Sequence, residues 1–125
     1  MNAPILTLPL INKVVHAFYQ VAIYDILIGY HFRVIEDFDT HIPRIADFWQ
    51  LQLTGKMDNP GSLPFDLIQI HIPLKVKRGE IDRWGILFKQ ILDQFVNAQE
   101  ITQDQSDQWM NKIEIFKTKL IERVL

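Results

Sequence analysis

From Arg78 to Val96 the apolar residues Ile81, Trp84, Leu87, Phe88, Ile91, Leu92 and Phe95 recur at intervals of three and four, and no Pro interrupts them. That period lays them along one wide stripe of an α-helix, so the segment packs against more than one neighbour and commits the chain to a helical layer around it. The same period runs from about Leu10 to Tyr24, through Ile11, Val14, Val15, Phe18, Val21 and Ala22, with Tyr19 at the edge of the stripe. A third such helix is expected from about Asp104 to Val124, with Trp109, Ile113, Phe116, Leu120 and Val124 inward and Lys112, Glu114, Lys119 and Glu122 outward. Thr102 and Ser106 both offer it a capping hydroxyl.

A further helix is bracketed by its ends. Asp37 to Thr40 supply N-cap oxygens, and Gly55, lacking a Cβ, suits a left-handed stop. Pro43 belongs in a first helical turn, where its missing N–H costs little, so the start is expected near Asp39. The inner face then carries His41, Ile42, Ile45, Phe48, Trp49 and Gln52. Between the helices, 25–31 reads as a tight corner around Gly29 and Tyr30, and 56–64, with Asn59, Pro60, Gly61, Ser62 and Pro64, reads as a loop.

One stretch carries two periods at once. Ile68, Ile70, Ile72, Leu74 and Val76 alternate with Gln69, His71, Pro73, Lys75 and Lys77, as in a half-buried strand. Leu67, Ile68, His71 and Leu74 also share one face of a helix. Because no second segment alternates comparably, a strand here would lack a partner for its backbone groups, and a short helix ending at or just before Ile72 is expected. The fold class is therefore all-α in a single domain spanning 1–125.

Composition narrows the chemistry. The chain has 125 residues, 48% of them hydrophobic, enough for one core. It has no Cys, which excludes disulfides, thiolate metal sites and a Cys nucleophile and fits a reducing compartment. A net charge of −2 gives no general attraction to nucleic acid. The short basic run of Lys75, Lys77 and Arg78 reads as a solvated turn, with an anion-holding role as the lesser alternative. No stretch is apolar enough to span a bilayer, and Met1 to Leu10 lacks the basic start of a secretory signal, so a soluble, cytoplasmic protein is expected. Asp37, Asp39 and Asp47 sit in no acid–base motif, and Gly is too sparse for a phosphate-binding loop.

His41 and His71 stand out against this background, in a chain that also holds Tyr19, Phe32, Trp49 and Trp84. An imidazole ligates iron through one ring nitrogen while the other is fixed by a hydrogen bond, and aromatic walls suit a flat porphyrin, so the set points to a haem pocket. Each residue also has a plainer reading. A His near a helix end is usually solvated or bonded to backbone, Trp49 and Trp84 lie on core stripes, and His16 and His31 read as surface or corner residues.

The strings Phe18-Tyr19, Leu27-Ile28-Gly29-Tyr30-His31-Phe32, His41-Ile42-Pro43-Arg44-Ile45-Ala46-Asp47-Phe48-Trp49, then His71, Asp82-Arg83-Trp84 and Leu87-Phe88 together resemble a group III truncated haemoglobin over residues 10 to 120. The interval from Trp49 to His71 is longer than that family's. The resemblance implies a truncated globin fold, a helix-on-helix sandwich with a shortened N-terminal helix and a short proximal helix. It also implies haem b as cofactor and a small diatomic gas as ligand. By position it makes His71 the proximal iron ligand, Tyr19, His41 and Trp84 the polar distal residues, and Phe32 the ring that packs on the porphyrin. Nitric oxide dioxygenase-like or peroxidase-like redox chemistry, with a reductase as partner, would follow from such a pocket. The alternative from a different class is a haem-free globin-fold module that senses or binds a protein partner.

Overall fold

A computed structural model describes residues 6–34, 37–59 and 76–124. Five helices make up their regular structure: α1 (Leu8–Ala22), α2 (Gly29–Arg33), α3 (Phe38–Thr54), α4 (Arg78–Asn97) and α5 (Gln103–Val124). No strand occurs among the described residues. The expected short helix at 68–72, with His71, lies outside them, as do most of the 56–64 loop and the start of the basic run.

Three of the four long helices, α1, α3 and α5, begin where the sequence supplies a side-chain cap. Thr7 Oγ1 accepts from Leu10 N–H (3.3 Å), and Pro9 sits in the first turn of α1, where no N–H is missed. At α5 the choice falls on Thr102. Its hydroxyl accepts from Gln105 N–H (3.0 Å), while Gln105 Oε1 accepts from Thr102 N–H (2.8 Å), a reciprocal box that leaves Ser106 to be buried one turn on.

Helix α3 starts earlier than its Pro suggests. Asp37 caps it by accepting from Thr40 N–H (3.2 Å) and from Thr40 Oγ1 (2.8 Å), so Phe38 is the first helical residue. Pro43 therefore lies in the second turn and not the first, and a good cap outweighs the cost of one lost backbone bond. The far end stops as expected: Gly55 takes φ 74° and its N–H donates to Leu51 C=O (3.0 Å).

The four long helices close a circuit of contacts, α1 on α3, α3 on α5, α5 on α4 and α4 on α1. At its centre Trp49 of α3, Phe88 of α4 and Trp109 of α5 meet with ring centroids 5.5–5.9 Å apart. Phe18 of α1 joins them through Phe88 at 4.9 Å. Rings of this size remove the most apolar surface per residue from water, and truncating any of them to Ala would cost about 3–5 kcal/mol. Trp49 is thus a core residue, as its stripe suggested. No helix among the described residues is long and apolar enough to cross a membrane.

Two features refine the expectations. The corner at 25–31 is real, but Gly29 opens a five-residue helix out of it. Asp47, which looked partnerless, is buried and accepts from Asn59 Nδ2 (3.0 Å), pinning the chain that leaves α3.

Candidate functional site

Tyr19 is the fourth residue from the end of α1, and the α1–α3 contact turns its ring toward the first turns of α3. There its hydroxyl lies 3.1 Å from His41 Nε2. The tyrosine is 8% exposed, while the imidazole is half-buried. Burial pushes the Tyr19 phenol above its ordinary value, so it stays protonated and able to donate. Burial, with the positive charge of Arg44 one turn along, pulls His41 below the ordinary histidine value, so the ring is neutral at neutral pH. A neutral phenol and a neutral imidazole can exchange donor and acceptor roles, so one of them always keeps a proton to offer a third group.

Aromatic rings surround this pair. Phe18 stands edge-on to Tyr19 at 5.9 Å, Phe32 of α2 at 5.2 Å and Phe38 of α3 at 5.9 Å. Phe32 is anchored in turn on Phe18 at 5.7 Å. Trp84 of α4, half-buried, packs against the same core with its ring 6.3 Å from Phe88. The structure thus gathers Tyr19, His41 and Phe32 into one site and adds Trp84 at the same core. His71 lies outside the described residues.

Phe38 was not anticipated. It shares a helix face with His41, three residues on, and only the earlier start of α3 makes that visible.

The short helix that carries Phe32 is held by charged side chains as well as by its ring contacts. Asp25 Oδ2 accepts from the N–H groups of Leu27 (3.0 Å) and Ile28 (3.2 Å), while Asp25 Oδ1 accepts from Arg83 Nε (3.0 Å) and Nη2 (2.8 Å). The Arg83 bonds, aided by these backbone donors, hold the Asp25 carboxyl below its usual range despite burial. Next along, Tyr30 Oη donates to Glu80 Oε2, which also meets His31 Nε2 at 3.1 Å. Lys77 N–H donates to Glu80 Oε1 (2.8 Å). Burial alone would raise Glu80, but the Tyr30, Lys77 and His31 contacts outweigh it and keep the carboxyl ionised.

His31, read from sequence as a surface or corner residue, is instead a largely buried partner of Glu80. Neither Glu80 nor Arg83 carries a local signal for these roles, because their partners lie about fifty residues away.

Among the described residues no group of three or more His, Asp or Glu could hold a metal ion. Comparison of the chain with protein-family models, with curated proteins and with solved structures found no match.

Proposed function

We propose that this protein binds one haem b and uses the Tyr19–His41 pocket to hold a small diatomic ligand, in the manner of a group III truncated haemoglobin. The observation that carries the reading is the 3.1 Å contact between Tyr19 Oη and His41 Nε2 inside a wall of Phe18, Phe32 and Phe38. A polar pair facing aromatic rings suits a ligand that is itself small, partly charged and bound next to a flat apolar group. The circuit of α1 and α3 with α4 and α5 is compatible with a two-layer truncated globin fold.

The donor set fits haem on its distal side. Bound haem supplies an iron that takes a diatomic ligand and exchanges electrons with it. Tyr19, His41 and Trp84 would donate to the partial negative charge on that ligand, and Phe32 would pack beside the porphyrin face. His71 would supply the axial imidazole. The oxygen, nitric oxide or peroxide chemistry such a pocket would favour is retention or conversion of the ligand rather than ready release, because several donors would face one small group. A reductase is the partner such conversion needs.

Haem titration of the purified protein tests the reading. A Soret band at one equivalent is expected, with His71→Ala losing it and His16→Ala, an exposed residue of α1, keeping it. Absence of the band, or equal retention by both variants, overturns the proposal and favours the haem-free module.

A further inference from the structure

The chain has three tyrosines, and they occupy three different situations. Tyr19 is buried against His41. Tyr24 is 80% exposed, and none of the side-chain hydrogen bonds among the described residues engages it. Tyr30 combines both conditions: its ring is 45% exposed, and its hydroxyl donates to the buried carboxylate of Glu80. His31 stacks on the Tyr30 ring at 4.1 Å with a 33° tilt.

Removing an electron from a phenol in water is hard unless its proton leaves in the same step, since the protonated radical is a very strong acid. Tyr30 meets this requirement in advance. Its proton already points at Glu80 Oε2, and Glu80 is fixed by Lys77 N–H on the other oxygen and by His31. Fixed partners need little reorganisation when charge moves. Exposure lets an oxidant reach the ring, which neither Tyr19 nor the core Trp49 and Trp109 allow.

We propose that Tyr30 is a proton-coupled redox site, from which an outer-sphere one-electron oxidant takes one electron while the phenol proton passes to Glu80 Oε2. The products are a neutral tyrosyl radical, a protonated Glu80 and the oxidant reduced by one electron. A one-electron donor reverses the step, and the proton returns from Glu80 to the phenolate oxygen. The site would give the protein a surface point for one-electron exchange. It does not depend on haem, because every group in it is described in the chain itself.

The test is flash photolysis with tris(bipyridine)ruthenium(III) generated in the presence of the full-length protein, pre-oxidised with ferricyanide, followed by freeze-quench electron paramagnetic resonance. Wild type and Tyr24→Phe should give the same tyrosyl signal, and Tyr30→Phe should lose most of it. Radical formation in wild type should be slower in heavy water, and Glu80→Gln should slow it by about tenfold or more while helical circular dichroism is kept. Should Glu80→Gln fail to fold, the heavy-water comparison and the Tyr30→Phe and Tyr24→Phe pair decide the question on their own. A signal that survives Tyr30→Phe and vanishes in Tyr24→Phe, a tryptophan radical in place of the tyrosyl, or equal rates in light and heavy water each overturn the proposal. The Soret band read on the same sample reports separately on haem.

Discussion

Tyr19 Oη and His41 Nε2 meet at 3.1 Å although twenty-two positions separate them in the chain. Each is the polar member of an otherwise apolar stripe, Tyr19 beside Phe18 and His41 beside Ile42 and Ile45. Burying either alone would cost the desolvation of a polar group, whereas burying them together replaces water with a partner. The pair is therefore a built feature of the α1–α3 contact.

Replacing Tyr19 by Phe keeps the ring and removes the hydroxyl. The variant should lose about 1 to 2 kcal/mol of whatever interaction the hydroxyl makes, and, if haem binds as proposed, oxygen should leave roughly tenfold faster. Trp84→Phe combined with Tyr19→Phe should exceed either single change, because both would donate to the same ligand. Stopped-flow dissociation rates check this, and unchanged rates in all three variants would remove the polar-pocket reading.

The acid side of neutrality should be visible at His41. Burial and Arg44 lower its folded value from an ordinary 6.5, so the folded state prefers the neutral ring. The sign follows: the contribution to stability is whole above the ordinary histidine value and is lost as pH falls through it toward the lowered folded value. A nuclear magnetic resonance titration should place the His41 midpoint below the ordinary histidine value, and Arg44→Gln should move it part of the way back. A His41 midpoint at or above the ordinary histidine value would contradict the burial argument.

How far the fold could be read depended on whether the relevant forces were local. Helices α1, α4 and α5 follow from apolar period, α5 also from a capping hydroxyl at its start, and their observed bounds fall within two residues of expectation. Helix α2 was legible only as a corner, because its anchors Glu80 and Arg83 belong to α4, 49 and 58 residues beyond His31 and Asp25. Helix α3 begins at Phe38, one residue before the start near Asp39 that Pro43 suggests, because the double contact of Asp37 with Thr40 holds that residue in the helix. Phe38, a wall of the candidate site that no periodicity suggested, comes with it.

Both carboxylates that hold α2 should make the protein sensitive to acid. Asp25 and Glu80 have folded values below their ordinary ones. Such groups stabilise the fold above the ordinary carboxylate range and lose that contribution as pH falls through their lowered values. Arg83→Met leaves a buried Asp25 carboxylate without its charged donor and should cost about 1.5–3 kcal/mol at neutral pH. Asp25→Asn should flatten the fall in stability between neutral and acid pH. Denaturant melts at several pH values measure both, and an Asp25→Asn variant with the wild-type pH slope would place the acid sensitivity elsewhere.

Gly29 links the corner to the candidate site and gives the sharpest test of the packing. A Cβ built on it would lie 2.6 Å from Arg33 Nη1, 2.9 Å from Ile23 O and 3.1 Å from Ala22 O. The arginine can swing away, at the loss of its 2.8 Å bond to Ile23 O, but the two carbonyls belong to the end of α1 and cannot. Gly29→Ala must therefore push α2 off α1, carrying Phe32 away from Tyr19. A stability loss of about 1–3 kcal/mol is expected. Gly79→Ala is the control, because a Cβ there meets nothing within 4 Å in the first turn of α4. It should raise stability by about 0.4–1 kcal/mol through the unfolded state. If haem binds as proposed, Gly29→Ala should also weaken its retention while Gly79→Ala leaves it unchanged. Two alanine variants with the same sign of effect in denaturant melts would show that the contact between Gly29 and the end of α1 is not close.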